Sequence, residues 1–198
     1  MEQVQKYFKI VNPDGHNGLV YRDGYNEDPL PFNPHGDCEP GGIYFSSRDI
    51  FSFLRFGTEV YEVEPVGKIY ENPGFPKKYK AHALNMKYIG KIKDINTFKY
   101  LVENGADIHA DYDYALRWSA SNGHLDVVKY LIENGADIHA LADYALRWSA
   151  SNGHLDVVKY LIENGADIHA DYDYALRLSA LYGHLEVRSE ERRVGKEC

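Results

Sequence analysis

The C-terminal half of the chain alternates short apolar blocks with Asn-Gly pairs, and the blocks have helical spacing. Leu125, Val128 and Leu131 recur every three residues, as they do on one buried stripe of a helix. A preceding block at 115–121 indicates a shorter helix, and the Asn-Gly pair after it supplies the left-handed residue that ends such a helix. The pattern therefore predicts a helix–turn–helix unit.

This unit repeats with a period of 30 residues. Residues 111–140 and 141–170 differ only where Asp111 and Tyr112 are replaced by Leu141 and Ala142, and a third copy begins at residue 171. A single helix pair cannot bury its own apolar face, so a fixed period of this kind indicates units that stack on one another.

A weaker copy precedes these units. Residues 99–110 match the later copies closely, whereas residues 85–98 match them only in pattern, with Met86, Tyr88 and Gly90 at the apolar positions of the first helix. We therefore expect a helix pair here too. The predicted units are 81–110, 111–140, 141–170 and the incomplete 171–187.

Residues 1–80 have a different pattern, rich in Gly, Pro, Asn and aromatic residues. Short runs typical of strands are separated by turn-forming segments, and residues 47–56 have the apolar face of one helix. The runs are 6–11, 19–22, 42–45, 59–63 and 68–70. This pattern predicts a small α+β domain that ends in a Pro- and Lys-rich connection at 72–80, with Cys38 in a structural loop.

Charge and composition narrow the possible functions. The formal net charge of −8 argues against nucleic-acid binding, which requires Lys and Arg to neutralise phosphates. The chain has neither an apolar run long enough to cross a bilayer nor the apolar core of a signal peptide, so we expect a cytoplasmic monomer without membrane contact. Cys38 and Cys198 are far apart, and the repeated histidines occur once per unit at each position, so no metal or other cofactor is predicted.

The segment Gly123–Asp137, GHLDVVKYLIENGAD, resembles the second-helix signature of ankyrin repeats. Two features depart from that family: the period is 30 rather than about 33 residues, and YALRWSA stands at 114–120 where the family has T-P-L-H-x-A-A. The resemblance implies an all-α ankyrin repeat solenoid after the α+β domain, with a shortened finger between repeats. It also implies a module that binds another protein.

The same resemblance places candidate partner contacts on the first helix of each unit. The variable position of the family's first helix corresponds to Trp118, Trp148 and Leu178, each preceded by an arginine. Exposed Trp beside Arg is typical of protein interfaces. The alternative is that each tryptophan packs over the space left by the shortened finger. The candidate partner-binding residues are Arg117, Trp118, Arg147, Trp148, Arg177 and Leu178.

The N-terminal region resembles the segment that precedes ankyrin arrays in mimivirus-like giant-virus proteins, which implies a partner that is a host protein. An alternative resemblance is to ADP-ribosyltransferases, whose Arg, Ser-Thr-Ser and Glu-x-Glu elements correspond in order to Arg22, Ser46 with its neighbours, and Glu62 with Glu64. That resemblance implies an NAD-using enzyme with the repeats as a targeting module. The leading interpretation is a binding module that is not an enzyme.

The third copy is in register only as far as Val187. Residues 188–198, RSEERRVGKEC, resemble translated sequencing-adapter DNA. We therefore expect a non-native tail, a repeat cut within its second helix and a natural protein that continues with further sequence.

Overall fold

The computed structural model describes residues 5–15, 18–34 and 39–195. The chain divides into two compact units, Met1–Asp111 and Tyr112–Cys198. Cys38 and Cys198 lie outside the described residues, so their predicted roles stay predictions.

The first unit contains two antiparallel sheets, with strand orders β1-β4-β7-β2 and β3-β6-β5. The strands are β1 (Tyr7–Val11), β2 (Gly24–Glu27), β3 (Ile43–Phe45), β4 (Glu59–Val66), β5 (Tyr70–Asn72), β6 (Lys78–Ala81) and β7 (Ala83–Lys91). A 3₁₀ helix spans Arg48–Phe56, and helix α1 spans Ile95–Glu103. The α+β character expected for this region is therefore confirmed.

The core of the first unit forms because apolar residues alternate along its strands. Phe45 of β3, Val63 of β4 and Met86 of β7 are buried in one cluster, since every second strand residue faces the same side of a sheet. Phe51 of the 3₁₀ helix and Phe98 of α1 are also buried, and their rings stack with centroids 5.1 Å apart.

Several predicted strands differ from the observed ones. The run 19–22 was predicted as a strand, but the strand lies at Gly24–Glu27, where the backbone pairs with β7. Asn26 donates from Nδ2 to the carbonyl oxygens of Arg22 and Gly24 just before and within it. Strand β5 begins at Tyr70, after Gly67 at φ +85. Strand β6 lies where the lysines predicted a connection, yet Lys80 is fully buried and donates to the carbonyl oxygens of Asn33 and Glu39.

The first helix expected in the weak copy is wrong: residues 83–91 form strand β7. Leu84 and Met86 are buried while Asn85 and Lys87 are exposed, and the strand pairs with β4 along its length. Gly90 lies so close to α1 that a Cβ there would be 2.2 Å from Thr97 Oγ1. The sheet therefore continues past the division expected between residues 80 and 81, and only the second helix of this copy, α1, is present.

Helices of the later copies follow in the order that the repeat predicts. They are α2 (Ala110–Ser121), α3 (Leu125–Glu133), α4 (Ala140–Ser151), α5 (Leu155–Glu163), α6 (Ala170–Leu181) and α7 (Leu185–Val194). Equivalent helices of neighbouring copies pack together, α4 against α6, α3 against α5 and α5 against α7. Helix α7 continues past Val187, so residues 188–194 extend the second helix of the third copy.

Each first helix begins with three residues in the left-handed conformation, which the sequence did not predict. We call these segments the left-handed turns: Asp111–Asp113, Leu141–Asp143 and Asp171–Asp173, all with φ between 53 and 59. Left-handed backbone costs about 1–2 kcal/mol per non-glycine residue. Contacts elsewhere in the repeat must therefore hold these turns in place.

Candidate partner-binding surface

The arginines of α2 and α4 hold the left-handed turns from inside the repeats. Arg117 is 7% exposed, and its Nε donates to the carbonyl oxygen of Tyr112 at 2.9 Å. Its guanidinium lies between the rings of Tyr114 and Tyr144, 5.1 and 5.2 Å from their centroids. Such stacking on both faces favours a guanidinium over an ammonium group.

Arg147 makes the equivalent Nε contact one repeat later and adds two further polar contacts. Nε and Nη2 donate to the carbonyl oxygens of Ala142 and Leu141, both at 2.8 Å. Nη1 pairs with Asp171 Oδ2 at 2.5 Å, and the ring of Tyr174 lies 5.2 Å away. Both arginines thus bind groups of their own array, whereas the equivalent Arg177 is exposed.

The last residues of the first two left-handed turns connect one repeat to the next. Asp113 and Asp143 are buried, and each accepts a hydrogen bond at Oδ1 from the backbone N–H of the residue 24 positions later, at 2.9 Å. Asp143 also faces His139 Nδ1 at 3.1 Å. These carboxylates are structural, because they satisfy backbone donors of the neighbouring loop.

Histidines at the start of the second helices also connect repeats. His154 Nε2 lies 3.0 Å from the carbonyl oxygen of Ser121, and His184 Nε2 lies 2.9 Å from that of Ser151. These contacts give this set of histidines a structural role. Among the described residues, no group of three or more His, Cys, Asp and Glu side chains is arranged to hold a metal ion.

The tryptophans lie on the outward face of the first helices. Trp118 and Trp148 are both partly exposed; Trp118 contacts the ring of His124 at 5.2 Å, and Trp148 stacks on Tyr144 at 5.4 Å. They belong to a row of positions spaced four apart on each helix, which lie on one helical face. We call this row the aromatic stripe: Tyr114, Trp118, Asn122, Tyr144, Trp148, Asn152, Tyr174, Leu178 and Tyr182.

A groove of about 690 Å³ runs beside Trp148 across neighbouring copies. Its lining carries aromatic, amide and imidazole groups and no charged carboxylate or Lys or Arg side chain. Its aromatic, amide and imidazole groups belong to Asn122, Trp148, Asn152, His154, Tyr182 and His184. Of these, only Trp148 was predicted from the sequence as a contact. The helical spacing of Trp148 and Asn152 is the signal that could have extended the site.

In the third copy the stripe becomes more apolar. Leu178 replaces tryptophan, and Tyr182 occupies the position of Asn122. Leu178 is partly exposed and, with Arg177 and Leu181, lines a second hollow of about 570 Å³. The structure therefore places the six candidate residues in two settings: Arg117 and Arg147 inside the array, and the other four on its surface.

The four residues of the enzyme alternative lie on different parts of the first unit. Arg22 is exposed before β2, whereas Ser46 is buried after β3 and donates its hydroxyl to the carbonyl oxygen of Lys77 at 2.7 Å. Glu62 and Glu64 share one face of β4. In the sheet, β7 separates β4 from β2, and β1 separates β4 from Ser46.

Glu62 is held by two neighbours on the sheet surface. Lys6 Nζ lies 3.1 Å from Oε1, and the Tyr100 hydroxyl donates a short hydrogen bond to Oε2. Burial raises the pKa of the Glu62 carboxyl, but the hydrogen bonds from Tyr100 and Lys6 outweigh it and hold the pKa below its usual value. Glu62 is therefore an ionised carboxylate that attaches α1 to β4.

Comparisons with a family model and with known proteins both match this chain to ankyrin repeats. The family model for ankyrin repeats in three copies matches residues 86–172, beginning within β7. An uncharacterised protein of Acanthamoeba polyphaga mimivirus is 38% identical over 136 residues, which cover 63% of this chain and 96% of that protein. Two putative ankyrin repeat proteins of the same virus are 38% and 35% identical over 57% and 61% of this chain. The matches span 40% and 39% of those two longer proteins.

Along the described part of the chain, no helix is long and apolar enough to cross a membrane.

Proposed function

The chain belongs to the ankyrin repeat proteins of the giant-virus type, and we propose that it captures a host protein through the aromatic stripe of its repeats. Ankyrin repeats indicate a protein-interaction module. The proposal adds the surface, the kind of partner and the place of action, which is the cytoplasm of the host cell. It also takes the array to be a continuous solenoid that acts as a monomer.

One observation carries this proposal: neighbouring residues on the first helices have different environments, one bound within the array and the next partly exposed. Arg117 and Arg147 bind backbone carbonyls and tyrosine rings of the array, so they position the helices. Trp118 and Trp148, one residue further on, keep part of their surface exposed. A partly exposed tryptophan on a rigid support loses little conformational freedom when it binds, which is typical of interface hot spots.

The groove beside Trp148 supports a protein partner in an extended or loop conformation. The Nδ2 groups of Asn122 and Asn152 donate to the carbonyl oxygens of Trp118 and Ser121, so it is their amide oxygens that can accept hydrogen bonds from a partner's backbone. The aromatic rings of the groove provide apolar contact area. Repetition of the stripe in successive copies lets one partner segment contact several units. Each contact then adds to the affinity of the same binding event.

Capture from an Acanthamoeba lysate tests the proposal. The purified chain is immobilised, and bound proteins are compared by quantitative mass spectrometry with those held by a Trp118→Ala/Trp148→Ala double variant. We expect the variant to lose a specific protein, because truncating a hot spot costs about 2 kcal/mol or more, which is roughly thirtyfold in Kd.

A matched control separates binding from folding. Tyr130→Ala/Tyr160→Ala removes two partly buried aromatic side chains from the second helices at the same repeat spacing. This control variant should retain the partner, and both variants should keep helical circular dichroism. The proposal fails if the tryptophan variant retains the partner, or if it loses the partner only together with its helical signal.

A further inference from the structure

We propose that the groove beside Trp148 binds a primary-amide side chain, asparagine or glutamine, that the partner protein presents at the boundary between copies 141–170 and 171–187. This inference rests on the proposed function and adds the chemistry of the partner at that site. The array leaves a place for such an amide at Ser151, because the third copy lacks the side chain that fills the equivalent place one copy earlier.

An asparagine fills this place at the preceding boundary. Asn152 Nδ2 lies 2.7 Å from the carbonyl oxygen of Ser121 and 3.1 Å from its Oγ, so one amide group donates to both oxygens. His154 Nε2 contacts the same carbonyl oxygen at 3.0 Å. The last residue of the first helix in one copy therefore binds an imidazole and a primary amide, both of which come from the next copy.

Only the imidazole is retained at the boundary that follows. His184 Nε2 lies 2.9 Å from the carbonyl oxygen of Ser151, but position 182 is tyrosine, which has no amide group. Within the described part of the chain, the Oγ of Ser151 has no hydrogen-bond partner. Ser151 is 6% exposed and lines the groove. Its hydroxyl and carbonyl oxygens can therefore accept the two N–H bonds of an amide that enters the groove.

The rest of the groove fits a neutral amide better than a charged group. Its described lining residues include no Asp, Glu, Lys or Arg, so an incoming carboxylate or ammonium group would lose hydration without gaining a partner of opposite charge. A carboxylate would also bring two acceptors to the acceptors of Ser151. The rings of Trp148 and Tyr182 provide apolar contact for the methylene groups of the side chain, and their N–H and O–H groups are donors for the amide oxygen.

Two-dimensional proton–nitrogen NMR spectra of the isotope-labelled full chain test the inference. The probes are three peptides in which glycine alternates with glutamine, glutamate or methionine, whose side chains have similar lengths. The two tryptophans of the chain give two indole N–H signals, and only that of Trp148 comes from the groove lining. We expect the glutamine peptide alone to shift the Trp148 signal, with an affinity that does not depend on salt, because no ion pair forms. No shift with the glutamine peptide, or an equal shift with either of the others, would overturn the inference.

The variant Tyr182→Asn supplies the missing amide from within the array. It makes position 182 identical to positions 122 and 152, so the new side chain should donate to Ser151 and weaken the glutamine peptide about tenfold or more by intramolecular competition. The control Tyr182→Ala removes the same ring without adding an amide and should weaken the peptide less than about threefold. Equal losses in the two variants would show that the ring alone determines the affinity and would overturn the inference.

A second pair of variants tests the acceptor itself. Ser151→Ala removes the hydroxyl and should weaken the glutamine peptide about fivefold, the effect typical of one hydrogen bond. Ser119→Ala removes a buried hydroxyl of an earlier first helix that does not line the groove, and it should leave the affinity unchanged. Unchanged affinity in Ser151→Ala, with helical circular dichroism retained, would contradict the assignment of Ser151 as the acceptor.

The lysate experiment separates this inference from the proposed function. If Trp118→Ala/Trp148→Ala loses the host protein while Tyr182→Asn retains it, the proposed function stands and the inference fails. If the glutamine peptide and its variants behave as expected but the tryptophan variant retains every captured protein, the proposed function fails and the amide site stands.

Discussion

His154 donates a hydrogen bond from Nε2 to the carbonyl oxygen of Ser121, across the boundary between two repeats. A carbonyl oxygen only accepts, so this contact assigns the proton of the neutral imidazole to Nε2. The ring reaches that position because residue 123, which it packs against, has no side chain: a Cβ on Gly123 would lie 2.6 Å from His154 Nδ1. The same relationship joins His184 to Ser151 and Gly153.

The first prediction compares two glycines in the same repeat. Gly123 and Gly135 both have positive φ, but a Cβ on Gly135 would meet no atom within 4 Å. Both Gly→Ala variants should lose about 1 kcal/mol or more from backbone strain, and Gly123→Ala should lose more because it displaces His154. Thermal unfolding followed by circular dichroism measures both. Equal destabilisation would show that the histidine contact does not connect the repeats.

The second prediction concerns the buried carboxylate of Asp143. Asp143→Ala should lower the free energy of unfolding by about 1–3 kcal/mol, because it leaves the backbone N–H of Asp167 without its acceptor. Asp143→Asn keeps an oxygen at this position and should cost less. Denaturant titration measures the difference, with Asp156→Ala as an exposed control. A loss in Asp143→Ala no greater than in the control would contradict the structural role.

The third prediction compares a buried and an exposed arginine at equivalent positions. Arg117→Lys keeps the charge but loses the Nε contact with the carbonyl oxygen of Tyr112 and the planar stacking between two tyrosines. It should destabilise the array by about 1–2 kcal/mol. Arg177→Lys should stay within about 0.5 kcal/mol, because Arg177 is exposed. Similar melting temperatures for the two variants would show that the contacts of Arg117 with the Tyr112 carbonyl oxygen and the two tyrosine rings do not stabilise the array.

The fourth prediction is that the free energy of unfolding of the first unit depends on pH. Burial lowers the pKa of Lys9 from 10.5 to about 8. Between these pH values the unfolded chain binds more protons than the folded chain, so this lysine makes stability rise as pH increases from about 8 toward 10. Burial also raises the pKa of Tyr21 and Tyr61 to about 12, which makes stability fall above pH 10. Lys9→Met should remove the rise below pH 10.

Urea unfolding of the full chain at several pH values between 7 and 10 measures this effect. The difference in unfolding free energy between Lys9→Met and the unmodified chain should shrink as pH increases, by an amount of the order of 1–3 kcal/mol. A Lys99→Met variant is a suitable control. Parallel pH profiles for Lys9→Met and the unmodified chain would contradict the prediction.

Some strands of the first unit could be predicted from the alternation of apolar residues, and one could not. Strands β1, β3 and β4 were predicted because apolar residues alternate within them, whereas β6 was missed because Lys80 occupies a buried position. Its ammonium group reaches the carbonyl oxygens of Asn33 and Glu39, which lie more than 40 positions earlier in the chain. Long side chains of this kind bury their carbon stems while their charged ends find distant partners. A local pattern contains no information about those partners.

The candidate surface was likewise predicted only in part. The family's variable first-helix position pointed to Trp118 and Trp148, and both are partly exposed. Their role in partner binding stays a prediction. Their neighbours Arg117 and Arg147 look identical to Arg177 in sequence, yet they are enclosed because a following repeat supplies Tyr144 or Tyr174. Burial of these arginines is a property of the stack, and a single unit does not encode it.

By itself the sequence determined the repeat, because a 30-residue period with apolar helical stripes leaves stacking of helix pairs as the way to bury them. Only the tertiary structure decided that residues 83–91 form a strand, since pairing with β4 outweighed their similarity to a repeat helix. It also decided the left-handed turns at Asp111–Asp113 and its equivalents. Local preference opposes that conformation, and contacts from Arg117, Arg147 and the buried aspartates offset its cost.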